Sequence, residues 1–234
     1  MWHPYAHFGA KCSQYYAFYT SKWRVKMGKN LQKGQTINLE KSQYDLSKVT
    51  LGLGWDVKKQ GGFFGGLFGG KKDDEYDLDA IAFLLDANGK VVTPGNNKLV
   101  GGDVVFFNNL RHPSGCVYHT GDNLTGEGDG DDEQIVVLLD SLPAAYSKIV
   151  FLVSIYQGAR KGQNFGKIEN AFIRAVDNKG KEMARYDLSE DASFANMRSM
   201  VFAELYRRGG DWKFRAIGTP YETDSFVDIL RNYL

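Results

Sequence analysis

Short runs of β-branched and aromatic residues, separated by turn residues, recur along most of this chain and constrain its fold more than any other feature. Such runs are typical of β-strands. No helical pattern alternates with them, which argues against a parallel α/β sheet. The sequence therefore predicts an all-β fold, a β-sandwich of two antiparallel sheets with a short C-terminal helix. The predicted strands are 48–55, 76–85, 90–92, 102–107, 134–139, 148–156, 170–176, 183–188, 200–207 and 211–217.

Turn residues lie between these runs where hairpins would need them. The stretch 86–89 ends in Asn-Gly, and the stretch 177–180 ends in Asn-Lys-Gly. The stretch 208–210 contains two consecutive glycines. Glycine and asparagine tolerate the positive φ angles that tight turns require. We therefore expect a hairpin between the last two predicted strands.

Most of the 234 residues are expected to form one domain, because sandwiches of about 200 residues commonly share a single core. Residues 1–26 show no clean period and are predicted to be a poorly ordered extension. Residues 27–220 are predicted to form the sandwich. Within it, the Gly- and Phe-rich stretch 58–75 is predicted to be a flexible loop, because it cannot pack a core of its own. Residues 221–234 are predicted to form an amphipathic helix.

Two of these segments have a second interpretation. The stretch 58–75 carries exposed aromatic residues flanked by lysines, which also suits a contact with a partner or with a membrane interface. In the C-terminal segment, Phe226, Ile229, Leu230 and Tyr233 fall at helical spacing. That apolar face could pack on the sandwich or dock on a partner.

Charge is distributed unevenly, although the net charge is only +1. Residues 112–147 contain no Lys or Arg and seven carboxylates. Six of these lie in the motif GDNLTGEGDGDDE (121–133), and like charges so close together repel unless a cation shields them. Calcium takes six to eight oxygen ligands in irregular geometry, and the glycines let backbone carbonyls join the carboxylates. Gln134 stands where an EF-hand needs glycine, so the predicted site is not an EF-hand.

Asp77 and Asp79 are a second source of carboxylates. They lie two residues apart at the start of a predicted strand, so their side chains share one face. From there they could join a ligand cluster at one end of the sandwich. The alternative is that they cap an exposed strand end.

The remaining composition excludes several function classes. The basic excess of the first 48 residues comes without any nucleic-acid recognition motif, so no nucleic acid is expected. The two cysteines, Cys12 and Cys116, show neither zinc spacing nor a disulfide framework, which favours the cytoplasm. The chain has no apolar run of about 18 residues, and its N-terminus lacks the apolar core of a signal peptide.

The motifs of this chain resemble those of the TerD family over roughly residues 27–220. They include GLGWD, DLDA, VFFNN, HPSG, the acidic motif, QNFG, NAFIR and ARYDLSED. The resemblance implies a calcium-binding β-sandwich of cytoplasmic stress proteins linked to tellurite resistance. It also implies that other tellurite-resistance proteins are partners, with the membrane surface as one place of contact. The ligand residues that it carries over are Asp122, Asn123, Asp129, Asp131, Asp132 and Glu133, with Asp77 and Asp79 as helpers.

Three functions fit these features, and the first is a non-enzymatic binding or scaffold module that responds to calcium. The second is a metal-dependent hydrolase that uses the acidic motif with His112 or His119 as acid or base. Against it, the sequence contains no nucleophile elbow, phosphate loop or zinc spacing. The third is detoxification of tellurite by thiols, for which only Cys12 and Cys116 are available. We expect the first.

Overall fold

The structure is a computed structural model that describes residues 28–57, 76–121, 130–187 and 192–234. Within these ranges the chain forms twelve strands, two short α-helices and three 3-10 helices. The strands are β1 (Lys29–Asn30), β2 (Thr36–Leu39), β3 (Val49–Val57), β4 (Leu78–Leu85), β5 (Val104–Val105), β6 (Val117–His119), β7 (Glu133–Val137), β8 (Lys148–Ile155), β9 (Ile168–Val176), β10 (Glu182–Asp187), β11 (Ser199–Arg208) and β12 (Asp211–Tyr221). The α-helices are α1 (Gly158–Lys161) and α2 (Phe226–Leu230), and the 3-10 helices are Phe165–Lys167, Ala192–Phe194 and Arg231–Tyr233.

The described strands form two six-stranded sheets. The first sheet has the order β1-β10-β9-β3-β7-β6 and the second has the order β2-β12-β11-β8-β4-β5. Neighbouring strands are antiparallel, except that β1 runs parallel to β10. Alternate residues of both sheets meet in one apolar core, as Leu51 and Leu53 of β3 do with Phe151 and Val153 of β8. The predicted β-sandwich is confirmed, with one parallel pair that the sequence did not indicate.

Strand β4 is buried along its whole length, because both of its faces are covered. Ala80 and Ala82 face the core between the sheets, whereas Ile81 and Phe83 face a second apolar cluster. Because side chains alternate between the faces of a strand, this second cluster lies on the outer face of the second sheet. A strand covered on both sides explains why the run 80–85 is uninterrupted in its apolar character.

Helix α2 and the 3-10 helix Arg231–Tyr233 cover that outer face, which confirms the predicted C-terminal helix. The helix begins at Phe226 and not at residue 221, because β12 continues to Tyr221. Ile229 and Leu230 are buried in the second cluster. The ring centroids of Phe226 and Tyr233 lie 6.5 and 5.5 Å from that of Phe83. The apolar face of the segment is therefore used for packing within the chain.

This packing predicts a loss of stability at alkaline pH. Burial, together with the smaller effects of the nearby Tyr221 and Glu204, raises the pKa of Tyr233 to about 12. An unfolded tyrosine ionises near pH 10, so above that pH the unfolded state releases a proton that the folded state keeps. We expect the urea midpoint to fall as the pH rises from 10 to 12, and to fall less in Tyr233→Phe. If the urea midpoint fell equally in the wild-type protein and in Tyr233→Phe, Tyr233 would not be the source of the loss of stability.

Several predicted elements differ from the structure. The predicted strand 90–92 is wrong, because the amide of Val91 donates 2.7 Å to the carbonyl of Tyr233 instead of joining a sheet. The predicted strand 102–107 shortens to the two residues of β5. The sequence patterns did not indicate β1, β2 or β6, which have two to four residues each. The predicted hairpin at 208–210 is confirmed, with φ of 65° at Gly209 and 88° at Gly210.

Some predictions fall on parts of the chain outside the described residues. These are the N-terminal extension 1–26, the loop 58–75, and the ligands Asp122, Asn123 and Asp129 within 122–129. Among the helices of the described residues, none is long and apolar enough to cross a membrane.

Candidate metal-binding end of the sandwich

The end of the sandwich at which β7 begins brings together several of the predicted site residues. The amide of Ala80, near the start of β4, donates 2.6 Å to Oε2 of Glu133, the first residue of β7. Strand β6 ends beside them, because His119 pairs with Ile135 of β7. We call this region the acidic end. It contains Asp77, Asp79, His119 and the described part of the acidic motif, residues 130–133.

Glu133 joins the two sheets at the acidic end. Its neighbours in alternation, Ile135 and Val137, belong to the core between the sheets, so Glu133 faces inward as well. It is only 1% exposed. Strand β5 pairs with β4 only at Ala82 and Phe83, so the amide of Ala80 lies beyond the end of β5. The carboxylate of Glu133 supplies the acceptor that this buried amide requires.

His119 is a partner of Glu133. Its Nδ1 accepts the amide proton of Gly121 at 3.1 Å, so a neutral ring carries its proton on Nε2. Nε2 lies 3.3 Å from Oε2 of Glu133 and donates to it. The ring is buried and both of its nitrogens are used within the chain. Such a histidine orients Glu133, and it has no free nitrogen for the acid or base role of a hydrolase.

His112, the other candidate acid or base, belongs to a different cluster. It is 2% exposed, and its Nε2 lies 3.1 Å from Oδ1 of Asp103. Its Nδ1 accepts the amide proton of Ser114 at 3.1 Å. Cys116, the described candidate thiol, is also buried, and its Sγ lies 3.3 Å from the carbonyl of Ser141. These contacts favour structural roles for His112 and Cys116.

Asp132 extends the pairing of β7 with β3. Its amide donates to the carbonyl of Leu53 at 2.8 Å, and its Oδ2 accepts the amide of Trp55 at 2.9 Å. Partial burial raises the pKa of its carboxyl, and the charges of Asp56 and Asp131 raise it further, against the lowering effect of the Trp55 hydrogen bond. Burial and, to a smaller extent, neighbouring negative charge thus both disfavour the ionised form of Asp132, and a bound cation would relieve the second of these effects.

Asp131 points elsewhere, to the outer face of the first sheet. Its Oδ1 accepts from Nε of Arg174 on β9 at 2.7 Å, and its Oδ2 accepts from Nε2 of Gln134 at 3.3 Å. Arg174 also lies 3.6 Å from Oε2 of Glu182. The hydrogen bond and charge of Asp131 raise the pKa of Arg174, and Glu182 adds a smaller effect in the same direction.

Asp77 and Asp79 are buried, at 8% and 6% exposure, so they do not cap an exposed strand end. Asp79 pairs with Ser154 of β8, and its alternation with Ile81 places it on the outer face of the second sheet. It directly precedes Ala80, whose amide binds Glu133. The start of β4 and the start of β7 thus bring two predicted sets of carboxylates to the same end of the sandwich.

The described residues by themselves do not complete a metal site. In ranges 28–57, 76–121, 130–187 and 192–234, no group of three or more His, Cys, Asp or Glu side chains converges as metal ligands would. The other predicted ligands, Asp122, Asn123 and Asp129, lie in the part of the motif outside these ranges. The structure therefore gives the positions of some predicted site residues, namely Asp77, Asp79 and 131–133. Which residues bind a metal stays a prediction.

Sequence reasoning missed two features of this end, the His119–Glu133 pair and the role of two glycines in β3. Gly52 and Gly54 lie inside a strand, where glycine commonly marks the close approach of another part of the chain. A Cβ on Gly52 would lie 2.1 Å from Cγ of Asp131, and one on Gly54 would lie 2.6 Å from the carbonyl oxygen of Gly130. Glycine inside a predicted strand was therefore the sequence signal from which this close approach to β3 could have been predicted.

Comparison with known proteins identifies the family. The model of the TerD domain matches residues 27–233. This chain belongs to the TerD family. The tellurium resistance protein TerX of Serratia marcescens is 59% identical to this chain over 214 residues, covering 89% of this chain and all of the relative. The stress response protein SCP2 of Bacillus subtilis is 44% identical over 210 residues, with coverage of 89% and 100%.

A solved structure supports the same fold. The homologue of telluride resistance protein (TerD) from Streptomyces coelicolor matches this chain with a TM-score of 0.56 and 22% sequence identity. The match covers 77% of this chain and 94% of the other. At that identity the likeness concerns the fold alone.

Proposed function

We propose that this member of a tellurium-resistance and stress-response family is a calcium-binding module without enzymatic activity. The observation that carries the proposal is that the start of β4 and the start of β7, which carry two sets of predicted ligands, lie at one end of the sandwich and are joined by the hydrogen bond from Ala80 to Glu133. There the raised pKa of Asp132 reflects burial together with the charges of Asp56 and Asp131. The buried Asp77 and Asp79 lie at the start of β4 in the other sheet.

The donor chemistry fits calcium better than zinc. The side chains that the acidic end offers are carboxylates, which are hard oxygen ligands. The nitrogens of His119 are used by Glu133 and Gly121, and Cys116 bonds to carbonyl groups near the other end of β7. Residues that would hold the ion are Asp77, Asp79, Asp132 and Glu133, with Asp122, Asn123 and Asp129 from the rest of the motif. The ion would neutralise the mutual repulsion of these carboxylates.

Calcium titration of the metal-free protein tests this proposal. We expect heat of binding, and we expect thermal stability to rise with calcium concentration. At about 100 times Kd the stabilisation is about 2.7 kcal/mol, or about 5–10 °C in Tm for a domain of this size. Asp132→Asn should weaken binding at least about tenfold, because ligand charge sets calcium affinity.

Asp140→Asn is the matched control. Asp140 belongs to the same acidic stretch, but it follows β7 at the opposite end of the strand, where it pairs with Lys41 at 2.7 Å. This variant should keep the wild-type response to calcium. The absence of both heat and thermal stabilisation at millimolar calcium in the wild-type protein would overturn the proposal.

We further propose that the module acts in the cytoplasm as a scaffold, with other tellurite-resistance proteins as partners that contact it in solution or at the membrane surface. The paucity of cysteines supports a reducing compartment. Co-purification from stressed cells, with calcium and with a chelator, tests the partner proposal. We expect the partners to be lost with the chelator, and an unchanged set of partners would contradict dependence on calcium.

A further inference from the structure

Residues 130 and 131 of the acidic motif are fixed to the first sheet by a cradle, which we define as Gly52, Gly54, Phe172, Arg174 and Gln134. The cradle lies on the outer face of that sheet, across β9, β3 and β7. Asp131 enters it and is only 4% exposed at its side chain. The carboxylate of Asp131 is therefore buried against the outer face of the first sheet.

Strand register explains why the carboxylate fits. Gly52 pairs with Gln134 on one side and with Arg174 on the other. Directly paired residues share a face of the sheet, so Gln134 and Arg174 flank a position at which β3 has no side chain. The carboxylate of Asp131 occupies that space, since a Cβ on Gly52 would lie 2.1 Å from its Cγ. It accepts hydrogen bonds from both flanking side chains.

The backbone next to Asp131 is held in the same way. A Cβ on Gly54 would lie 2.6 Å from the carbonyl oxygen of Gly130 and 2.6 Å from Cζ of Phe172. Phe172 pairs with Gly54 in the register of β9 and β3. Two glycines spaced two residues apart thus make a groove in β3 that accepts residues 130–131.

We propose that Arg174 is a positioning residue for the acidic motif, and that Asp131 is its anchor and not a calcium ligand. By holding Asp131 over Gly52, Arg174 fixes residues 130–133 so that Asp132 and Glu133 start at defined places at the acidic end. This inference rests on the proposed function, because it concerns how the same motif is prepared for calcium.

The alternative, that Asp131 ligates calcium, predicts the opposite effect of removing Arg174 on the affinity for calcium. If Asp131 were a ligand, Arg174 would compete with the ion for its carboxylate and repel it, so removing the guanidinium would tighten calcium binding. If Asp131 is an anchor, removing either partner frees the motif and weakens binding. Loss of residues that orient ligands typically reduces metal affinity by about 10- to 100-fold.

A double-mutant cycle in the full chain distinguishes the two. We expect Arg174→Gln and Asp131→Asn each to weaken calcium binding by about 10- to 100-fold, and the double variant to be no weaker than the weaker single variant. Arg174→Lys should restore part of the affinity, because an ammonium keeps the ion pair but not the geometry of the guanidinium. Calcium binding that tightens in Arg174→Gln would overturn the inference.

Arg185→Gln is the matched control. Arg185 lies on the neighbouring strand β10, pairs with Asp187 at 2.8 Å and stacks 3.7 Å from the Phe172 ring, without contacting Asp131. The Arg185→Gln variant should bind calcium with the affinity of the wild-type protein. A loss in this variant equal to that in Arg174→Gln would mean that any arginine on this face matters, and would contradict a specific role for Arg174.

Amide hydrogen exchange of the metal-free proteins separates this inference from the proposed function. We expect exchange of residues 130–133 to be faster in Arg174→Gln and Asp131→Asn than in the wild-type protein and in Arg185→Gln. This result stands even if the wild-type protein binds no calcium, in which case only the proposed function fails. Unchanged exchange in Arg174→Gln would show that the cradle does not fix the motif, and would overturn the anchor whatever calcium does.

Discussion

Replacing Asp103 with alanine is expected to lower the free energy of unfolding by about 4 kcal/mol. Asp103 is 2% exposed and accepts four hydrogen bonds. Its Oδ2 binds the amides of Val92 at 3.1 Å and Thr93 at 2.7 Å. Its Oδ1 binds Nε2 of His112 at 3.1 Å and the hydroxyl of Tyr146 at 2.8 Å. Alanine would remove the acceptor from all four donors, of which the His112 hydrogen bond is buried and the other three are part-buried. A buried donor left unsatisfied costs about 1–3 kcal/mol.

Urea denaturation measures this loss, and Asp103→Asn is its control. Asparagine keeps the shape and one acceptor oxygen, but its amide group would face two of the four donors. We therefore expect an intermediate loss. The hydrogen bond and charge of Asp103 also contribute to raising the pKa of Tyr146 to about 12, after the larger effect of burial. A loss below about 1 kcal/mol in the alanine variant would show that water replaces the carboxylate.

The long strands could be predicted from the sequence because their signal is local. The runs 148–156 and 200–207 match β8 and β11 to within one residue at either end. Both are central strands of the second sheet, so their apolar character reflects burial on two faces. The C-terminal segment was predictable for the same reason, since its apolar residues repeat at helical spacing.

Elements that depend on distant partners could not be predicted. Strand β2 has a single fully buried residue, Leu39, and is held by pairing with β12 more than 170 residues away. The run 90–92 has the composition of a strand, yet Val91 bonds to Tyr233 at the end of the chain. A short segment has too few side chains to show a period, so its state is decided by tertiary contacts that composition does not reveal.

Some features of the candidate site could likewise be predicted from local sequence, and others depend on distant residues. Repulsion among the carboxylates of the acidic motif could be inferred from their spacing alone. The separate task of Asp131 could not, because it depends on the absence of a side chain at Gly52 and on Arg174, which is 43 residues further along the chain. Likewise, only the pairing of β6 with β7 brings His119 to Glu133.

Gly54→Ala is expected to destabilise the protein by about 2–3 kcal/mol, and also to weaken calcium binding if the proposed function holds. The new methyl group would lie 2.6 Å from the Gly130 carbonyl oxygen, which is backbone and cannot rotate away as a flexible side chain can. Either β3 or residues 130–131 must therefore move. Because Asp131 is held by Arg174, we expect the displacement to reach that ion pair.

Gly89→Ala provides the control that separates crowding from the general effect of adding a methyl group. Nothing lies within 4 Å of a Cβ at Gly89, but its φ of +77° makes alanine strained there by about 1 kcal/mol. It should therefore destabilise less than Gly54→Ala and leave the calcium response unchanged, because its turn lies at the end of β4 remote from Asp79. Urea midpoints that rank the two variants in the reverse order would contradict the groove in β3. If amide hydrogen exchange at residues 130–133 is faster in Gly54→Ala and not in Gly89→Ala, the destabilisation by Gly54→Ala arises at the acidic motif.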